Sequence, residues 1–364
     1  MRRHLIAAAL LAALLTTGCI RAMPEGVIYP SVTLDETVSG TRTVDVAFSF
    51  EGEPVTFAVE VDERLYAGAS AAVKSVTRFG NARENDWIED YYPAFVNEPN
   101  HDAFFDDLLA ELRAVRDARG LDSDRYAELM TVFAQSITYR TDPVDLSPKF
   151  PVETLVEGDG DCDDKTLLLA GLLSREGYDV AIMLFEPEKH VALGLKTAGP
   201  DYNGSGYAYV ETTTGGFIGM VPDELADGAT IQSEPRIFRL DGGTIAYTAG
   251  DQVAAILAAR DRAITEAEAV TAEITDADAV LEATKAEVTA VKAELDALLA
   301  AGRVGEYNAL VGTYNALVEQ YNTAVRERND LAERYNRMAQ VERTVFEGLD
   351  DRPGTYAALV GVFD

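Results

Sequence analysis

Histidine, cysteine and tryptophan are scarce in this 364-residue chain, with three, two and one copies respectively. Two cysteines exclude a disulfide-stapled scaffold and every multi-cysteine zinc module. Basic residues are also short, 31 Lys+Arg against 62 Asp+Glu, for a formal net charge of -31. A field of that sign repels phosphate backbones, so no nucleic-acid partner is expected. It suits solubility in high salt, where screening relieves self-repulsion. After the first twenty residues no apolar run is long enough to cross a bilayer. The chain has no phosphate-cradling glycine loop, dinucleotide fingerprint or zinc-ligand cluster, so neither a cofactor nor a metal is expected. The remaining composition, 47% hydrophobic and 26% charged, is enough for one or two domains with a real core.

The first 18 residues predict a secretory leader. Arg2 and Arg3 precede an apolar run from Leu5 to Leu15, then the small residues Thr16, Thr17 and Gly18 lead to Cys19. Leu15-Thr16-Thr17-Gly18-Cys19 resembles a lipobox, with the Leu four rather than three positions before the Cys. That resemblance implies cleavage before Cys19, a lipid on Cys19, and anchoring to the outer face of the cell membrane. Arg2-Arg3 is compatible with either general or twin-arginine export. A lipidated Cys19 leaves Cys162 as a lone thiol on the oxidising side. Such a thiol is either buried and inert or kept because it reacts.

Residues 19–30 read as a tether and 31–100 as a β-rich part. Val44, Val46, Phe48 and Phe50 alternate with polar or small residues, as do Val55, Phe57, Val59 and Val61. Glu51-Gly52-Glu53-Pro54 turns between them, which predicts a hairpin with one buried face. Trp87, Tyr91, Tyr92 and Phe95 are expected to pack on the domain C-terminal to them, and His101 to sit at a helix start. Residues 101–245 read as an α+β domain. One amphipathic helix carries Phe104 to Val115 and stops at Gly120; a second, capped at Asp122 or Ser123, runs until Asp142-Pro143 breaks it. A third, apolar, helix follows Cys162 and ends at Gly177. Strands are predicted at 180–185, 190–195, 207–211 and 217–221.

From 251 to 347 heptads dominate, with Val253, Ile274, Leu281, Val288 and Leu295 among the a positions of a first helix. A second has Tyr307, Tyr314, Tyr321, Arg328 and Tyr335 at a, with Leu310, Leu317, Ala324, Leu331 and Met338 at d. Gly302 and Gly305 between them predict an antiparallel coiled-coil hairpin roughly 70 Å long at 1.5 Å per residue. Its register sets Arg328 opposite Ala277, between Asp276 and Asp278. The repeated Tyr-Asn pairs are read as packing, Tyr in the seam and Asn on its solvent edge. Such a hairpin also offers a surface for a coiled-coil partner or for self-association. Residues 348–364 form a tail.

Cys162 stands at a helix N-terminus, where free N–H groups and the helix dipole favour thiolate, while Asp159, Asp161, Asp163 and Asp164 oppose it. His190 opens a strand 28 positions later, and Glu211 ends the next, so an imidazole and a carboxylate become neighbours across an antiparallel pair. A carboxylate there would hold the ring's tautomer and orientation. Each residue also has a structural reading: a buried thiol, a satisfied core histidine, a surface acid. The acids at 159, 161 and 163 suggest calcium, but Asp164 occupies the place of the EF-hand Gly and Ala170 that of its bidentate Glu.

Taken in order, Phe133-Ala134-Gln135-Ser136-Ile137-Thr138-Tyr139, Pro151-Val152-Glu153-Thr154-Leu155 and Gly158-Asp159-Gly160-Asp161-Cys162-Asp163-Asp164-Lys165 resemble the transglutaminase-like superfamily. So do Gly177-Tyr178-Asp179-Val180, His190-Val191-Ala192-Leu193-Gly194 and Tyr209-Val210-Glu211-Thr212-Thr213. The resemblance covers roughly a third of the chain, residues 101–225, and implies a papain-like core in which a helix carrying the Cys packs on an antiparallel sheet. It makes Cys162 the nucleophile, His190 the base, Glu211 the orienting acid, and Gln135 an oxyanion-hole donor. Many members have Asp in the third place. The expectation is a surface-anchored enzyme acting on a protein or peptide; its rival is a catalytically silent binding lipoprotein of the same fold.

Overall fold

The structure, a computed structural model, describes residues 26–79, 87–141, 147–226 and 228–363. The leader, Cys19, most of the tether and the Asp142-Pro143 break lie outside the described residues. The fold is mixed α+β, with a small antiparallel sheet and a long helical segment. Among the described residues no helix is long and apolar enough to cross a membrane.

A short strand β1 (Gly26–Ile28) leads into the hairpin of β2 (Thr41–Phe50) and β3 (Glu53–Asp62). Its turn has only two residues, Glu51 and Gly52, both left-handed with φ of 53° and 71°, the geometry whose twist matches paired strands. Phe48 and Phe57 of the buried face meet Phe133 at ring-centroid distances of 5.8 and 6.2 Å. The stretch read as β-rich also holds two helices, α1 (Glu63–Ala71) and α2 (Ile88–Val96), with β4 (Thr77–Phe79) pairing back to β1 between them. Residues 31–100 therefore share one continuous core with the domain C-terminal to them. The aromatic run of α2 packs as expected: Phe95 lies 4.7 Å from Phe150, and Tyr92 lies 6.1 Å from Phe238.

Two helices come next, α3 (Asp102–Arg119) and α4 (Ser123–Ser136). Gly120 in the left-handed region ends α3, and the Asp122 side chain caps α4 by accepting from the Arg125 N–H at 2.9 Å. The second helix stops at Ser136, well before Asp142. The cause is pairing: β5 (Thr138–Tyr139) lies parallel to β6 (Asp159–Gly160), which pulls β-branched Ile137 and Thr138 into extended backbone. Between these strands α5 (Pro151–Glu157) fills the gap, and α6 (Cys162–Arg175) follows directly. Its leucines are wholly buried. Gly171 faces α3 so closely that a Cβ there would meet the Phe105 ring at 2.1 Å, so only glycine fits.

The sheet runs β10-β7-β8-β9, with β7 (Val180–Phe185), β8 (His190–Lys196), β9 (Tyr207–Val210) and β10 (Arg236–Arg239) all antiparallel to their neighbours. The strand expected at 217–221 is absent. Phe217 and Ile218 are buried, but Gly219 has φ of 100° and Met220 turns back to bond the Phe217 carbonyl, so the segment is a turn. The fourth strand is instead β10.

Helices α7 (Gly250–Ala300) and α8 (Val304–Glu347) fold back on each other around Gly302, whose φ is 71°. The Arg328 guanidinium donates to Asp278 at 3.1 Å, and Arg334 pairs with Glu273 at 3.1 Å, as the heptad register requires. The return leg brings α9 (Arg352–Leu359) onto the domain. There Arg352 donates to the buried Glu128 carboxylate and to Gln252, while Tyr247 donates to Glu128 at 2.6 Å. Burial pushes the Glu128 carboxyl up, against the pull of Arg352. Removing the cation alone leaves a buried acid without its counterion. Arg352→Met is expected to cost about 3–5 kcal/mol in urea unfolding, whereas Arg352→Met with Glu128→Gln recovers much of it.

Candidate active site

The α6 helix begins with a reciprocal cap. Asp161 accepts from the Asp164 N–H, and the Asp164 carboxylate accepts from the Asp161 N–H at 3.2 Å. This accounts for much of the acidic loop. Asp159 is engaged elsewhere, by Lys149 at 2.8 Å and Arg140 at 2.9 Å. The carboxylates of Asp161, Asp163 and Asp164 come within 4.8 Å of one another. Such crowding favours protonation. Burial and then a hydrogen bond to Asp161 push Asp163 up, and burial with Asp161 raises Asp164 to about 7.

Cys162 is the first residue of α6, half-buried and free. Its Sγ lies 3.9 Å from the Lys189 carbonyl oxygen and receives the Val191 backbone N–H, so it abuts the chain on both sides of His190. Lys189 supplies that carbonyl from the left-handed region, φ 52°, at the end of the β7–β8 turn. Of the two influences on the thiol, the helix N-terminus loses. Burial pushes the thiol up, and Asp163, Asp161 and Glu211 add to it. The sulfur therefore rests as a thiol.

His190 and Glu211 are diagonal neighbours on one face of the sheet, since the register of β8 with β9 sets Glu211 two positions off His190. His190 Nε2 lies 3.2 Å from Glu211 Oε2, with both residues buried. Tyr209, two residues before Glu211 and on the same face, donates its hydroxyl to Oε2 at 2.6 Å and stands 3.1 Å from the same ring nitrogen. The other oxygen, Oε1, accepts the backbone N–H groups of Thr212 and Thr213 at 2.9 and 2.8 Å and the Thr213 hydroxyl at 2.7 Å. Burial works to raise this carboxyl, but His190, Tyr209 and Thr213 outweigh it and hold it down to about 2. An ionised Glu211 accepts from Nε2–H, which assigns the proton to Nε2 and leaves the lone pair on Nδ1. Tyr209 also lines a cavity of about 310 Å³ with Tyr202, Gly219 and Val253.

The scaffold ties these pieces together. Thr166, one turn into α6, donates to the Val191 carbonyl at 3.2 Å and meets the Thr212 hydroxyl at 3.1 Å. Lys165 is fully buried and donates to the carbonyls of Gln135 and Ile137 at 3.2 and 2.7 Å, closing the C-terminus of α4; burial lowers its pKa to about 8. Gln135 differs from its expected role. Its amide nitrogen donates to the backbone carbonyls of Glu211 and Gly216, both at 2.9 Å, so neither hydrogen is left for an oxyanion. Gln135 holds the strand end that carries Glu211. In the first turn of α6 the Asp164 and Lys165 N–H groups are taken by the Asp161 side chain and carbonyl, which leaves those of Cys162 and Asp163 as the donors beside the sulfur with no acceptor inside the helix. Replacing Gln135 by Met strands two buried carbonyls and is expected to cost roughly 1–3 kcal/mol in urea unfolding. A smaller loss would mean the loop is held by its other bonds.

His101 belongs to no site. It is fully buried, stacked on Phe150 at 5.6 Å, and neither ring nitrogen has a partner among the described residues. Tyr209 has no assigned role in the sequence beyond its place in the Tyr209–Thr213 motif, although strand alternation sets it on the same face as Glu211.

Comparison with protein-family models, with curated proteins and with solved structures finds no match to this chain.

Proposed function

We propose that this chain is a transglutaminase-like cysteine enzyme that transfers or hydrolyses the acyl group of a glutamine side-chain amide or a peptide bond. The observation that carries the reading is the bonded set His190–Glu211–Tyr209 beside a free thiol that abuts the backbone on either side of His190. In the proposed reaction Cys162 Sγ attacks the carbonyl carbon and its proton passes to His190 Nδ1. Because the sulfur rests as a thiol, this proton transfer accompanies the attack. The N–H groups of Cys162 and Asp163, the two in the first turn of α6 not bonded to Asp161, receive the oxyanion. The tetrahedral adduct collapses as His190 returns the proton to the leaving amine, giving a thioester on Cys162. Water or a second amine then attacks the thioester carbonyl as its proton passes to His190, and the C–S bond breaks as that proton returns to the sulfur, releasing the acid or the new amide and restoring the thiol. The leader and Cys19 extend the proposal to an exported protein held on the outer face of the membrane by its lipid.

A silent binding protein of the same fold is the second reading. The burial that raises the thiol, with the acidic groups that add to it, favours this reading. Ammonia release from carbobenzoxy-glutaminyl-glycine, with and without an added primary amine, separates the two. Release by the wild type and none by Cys162→Ala, folded by circular dichroism, supports the enzyme, and incorporation of the amine identifies transfer. Equal, background release by both proteins, of ammonia from glutamine donors and of free amine from peptide donors, supports the binding protein.

A further inference from the structure

The hairpin carries more apolar surface than two helices can use. In α8 the a and d positions form the seam with α7, and a two-stranded coil needs no others. Yet a third heptad position is apolar through seven consecutive repeats: Val304, Val311, Val318, Val325, Ala332, Ala339 and Phe346. Seam residues plus this row make the broad stripe of a helix that packs against more than one neighbour. Among the described residues nothing covers the row fully. Val304 and Phe346 are 60% and 77% exposed, and the five residues between them remain partly exposed.

Charge narrows the occupant. The row lies between the seam tyrosines and a ladder of Asn308, Asn315, Asn322, Asn329 and Asn336, so no acidic residue adjoins it along α8 as far as the Asn336 turn. From Tyr307 to Val325 the helix has one charge, Glu319, about 100° around the helix from the valines. On α7 the same side carries Asp278, paired with Arg328 at 3.1 Å, and Lys285 and Lys292, each paired within its own helix, to Glu282 at 3.2 Å and Asp296 at 3.1 Å, so every charge on it is matched. The opposite side carries Glu287, Glu294 and Glu327. A basic partner would be drawn to that acidic side. A partner bearing the same charge of -31 can approach only where the surface is neutral.

We propose that two copies of this chain associate through the valine side of their hairpins, closing a four-helix bundle over the half nearest Gly302. The bundle buries the valine rows against each other and keeps the acidic sides apart.

Light scattering of the full chain at about 100 µM, in low and in molar salt, tests this. The expected mass is twice that of the chain, with tighter association in high salt as repulsion is screened. Val311→Glu, Val318→Glu and Val325→Glu together are expected to weaken association at least about 100-fold with helix content unchanged. Thr313→Glu with Gln320→Glu, on the other side, should leave it intact. In a Cys19→Ser, Cys162→Ser background, Val318→Cys should crosslink two copies and Thr313→Cys should not, which reads the face without introducing charge. A monomer in both salts, a dimer that survives the triple substitution, or crosslinking by the Thr313→Cys protein but not by the Val318→Cys protein would overturn the proposal.

Discussion

Glu211→Gln is expected to lower the acyl-transfer rate by roughly 10⁴-fold while leaving the fold intact, the scale seen when a triad acid becomes an amide. The reason lies in which oxygen faces which partner. Oε1 takes two backbone N–H groups and a hydroxyl, all donors, so a glutamine must keep its carbonyl oxygen there. Its NH₂ then points at His190 Nε2 and at the Tyr209 hydroxyl. Facing a donor, Nε2 must become the acceptor and the ring proton moves to Nδ1, where it blocks the base. The substitution keeps size and polarity, so a purely structural role for Glu211 would show as lost stability with little change in rate per folded molecule. Glu211→Asp, which keeps the charge but shortens the reach, should retain measurable activity. Activity of Glu211→Gln within tenfold of the wild type would remove Glu211 from the mechanism.

The second large effect concerns acid and His101. Burial, and then the nearby Arg175 guanidinium, hold its pKa down to about 3, against the pull of Asp102. A histidine in the unfolded chain binds its proton near pH 6.5. The unfolded state therefore binds more protons between those values, so this residue's contribution to stability is full above pH 6.5 and falls as the pH drops toward 3. The slope is about 1.4 kcal/mol per pH unit, or roughly 5 kcal/mol over the whole window. Asp164, Asp163 and Glu128 act in the opposite sense, since each is pushed up in the fold and favours the folded state as pH falls. The wild-type profile thus sums opposing slopes, and the informative quantity is the difference from His101→Phe. A phenylalanine joins Phe104, Phe105 and Phe150 without stranding a hydrogen bond, since the His101 ring makes none with the described residues. Urea unfolding at pH 8, 6 and 4.5 should show the variant gaining on the wild type, by about 3 kcal/mol at pH 4.5. A difference that does not change with pH would mean that the ring titrates freely.

Much of the fold is legible in the chain because it follows from local pattern. Alternation locates the β2–β3 hairpin, heptads locate α7 and α8, and the register between them is enough to put Arg328 beside Asp278. Cys162, His190 and Glu211 are legible as residue types in order, and the sheet register sets the last two in contact. The illegible parts depend on contacts between distant segments. Ser136 ends α4 because residues 138–139 pair with 159–160, which no helical period reveals. The segment 217–221 has strand-like hydrophobicity but turns at Gly219, while β10 is found only by its pairing to β7. Gln135 reads as a donor aimed at substrate until the carbonyls of Glu211 and Gly216 are seen to take both hydrogens. His101 reads as a helix-start residue, and it does precede α3, but the packing of three phenylalanines that makes it part of the core leaves no mark in the sequence.

Acylation of the sulfur itself tests the central claim most directly. Wild type and His190→Ala, mixed with p-nitrophenyl acetate at neutral pH and quenched in acid, can be compared by the mass of the peptide that carries Cys162. The expected result is an acetyl group on Cys162 in the wild type within the burst of p-nitrophenolate, and almost none in His190→Ala over the same interval. Equal acetylation of the two proteins, or none in either while the unfolded chain reacts, would contradict a thiol activated by that imidazole.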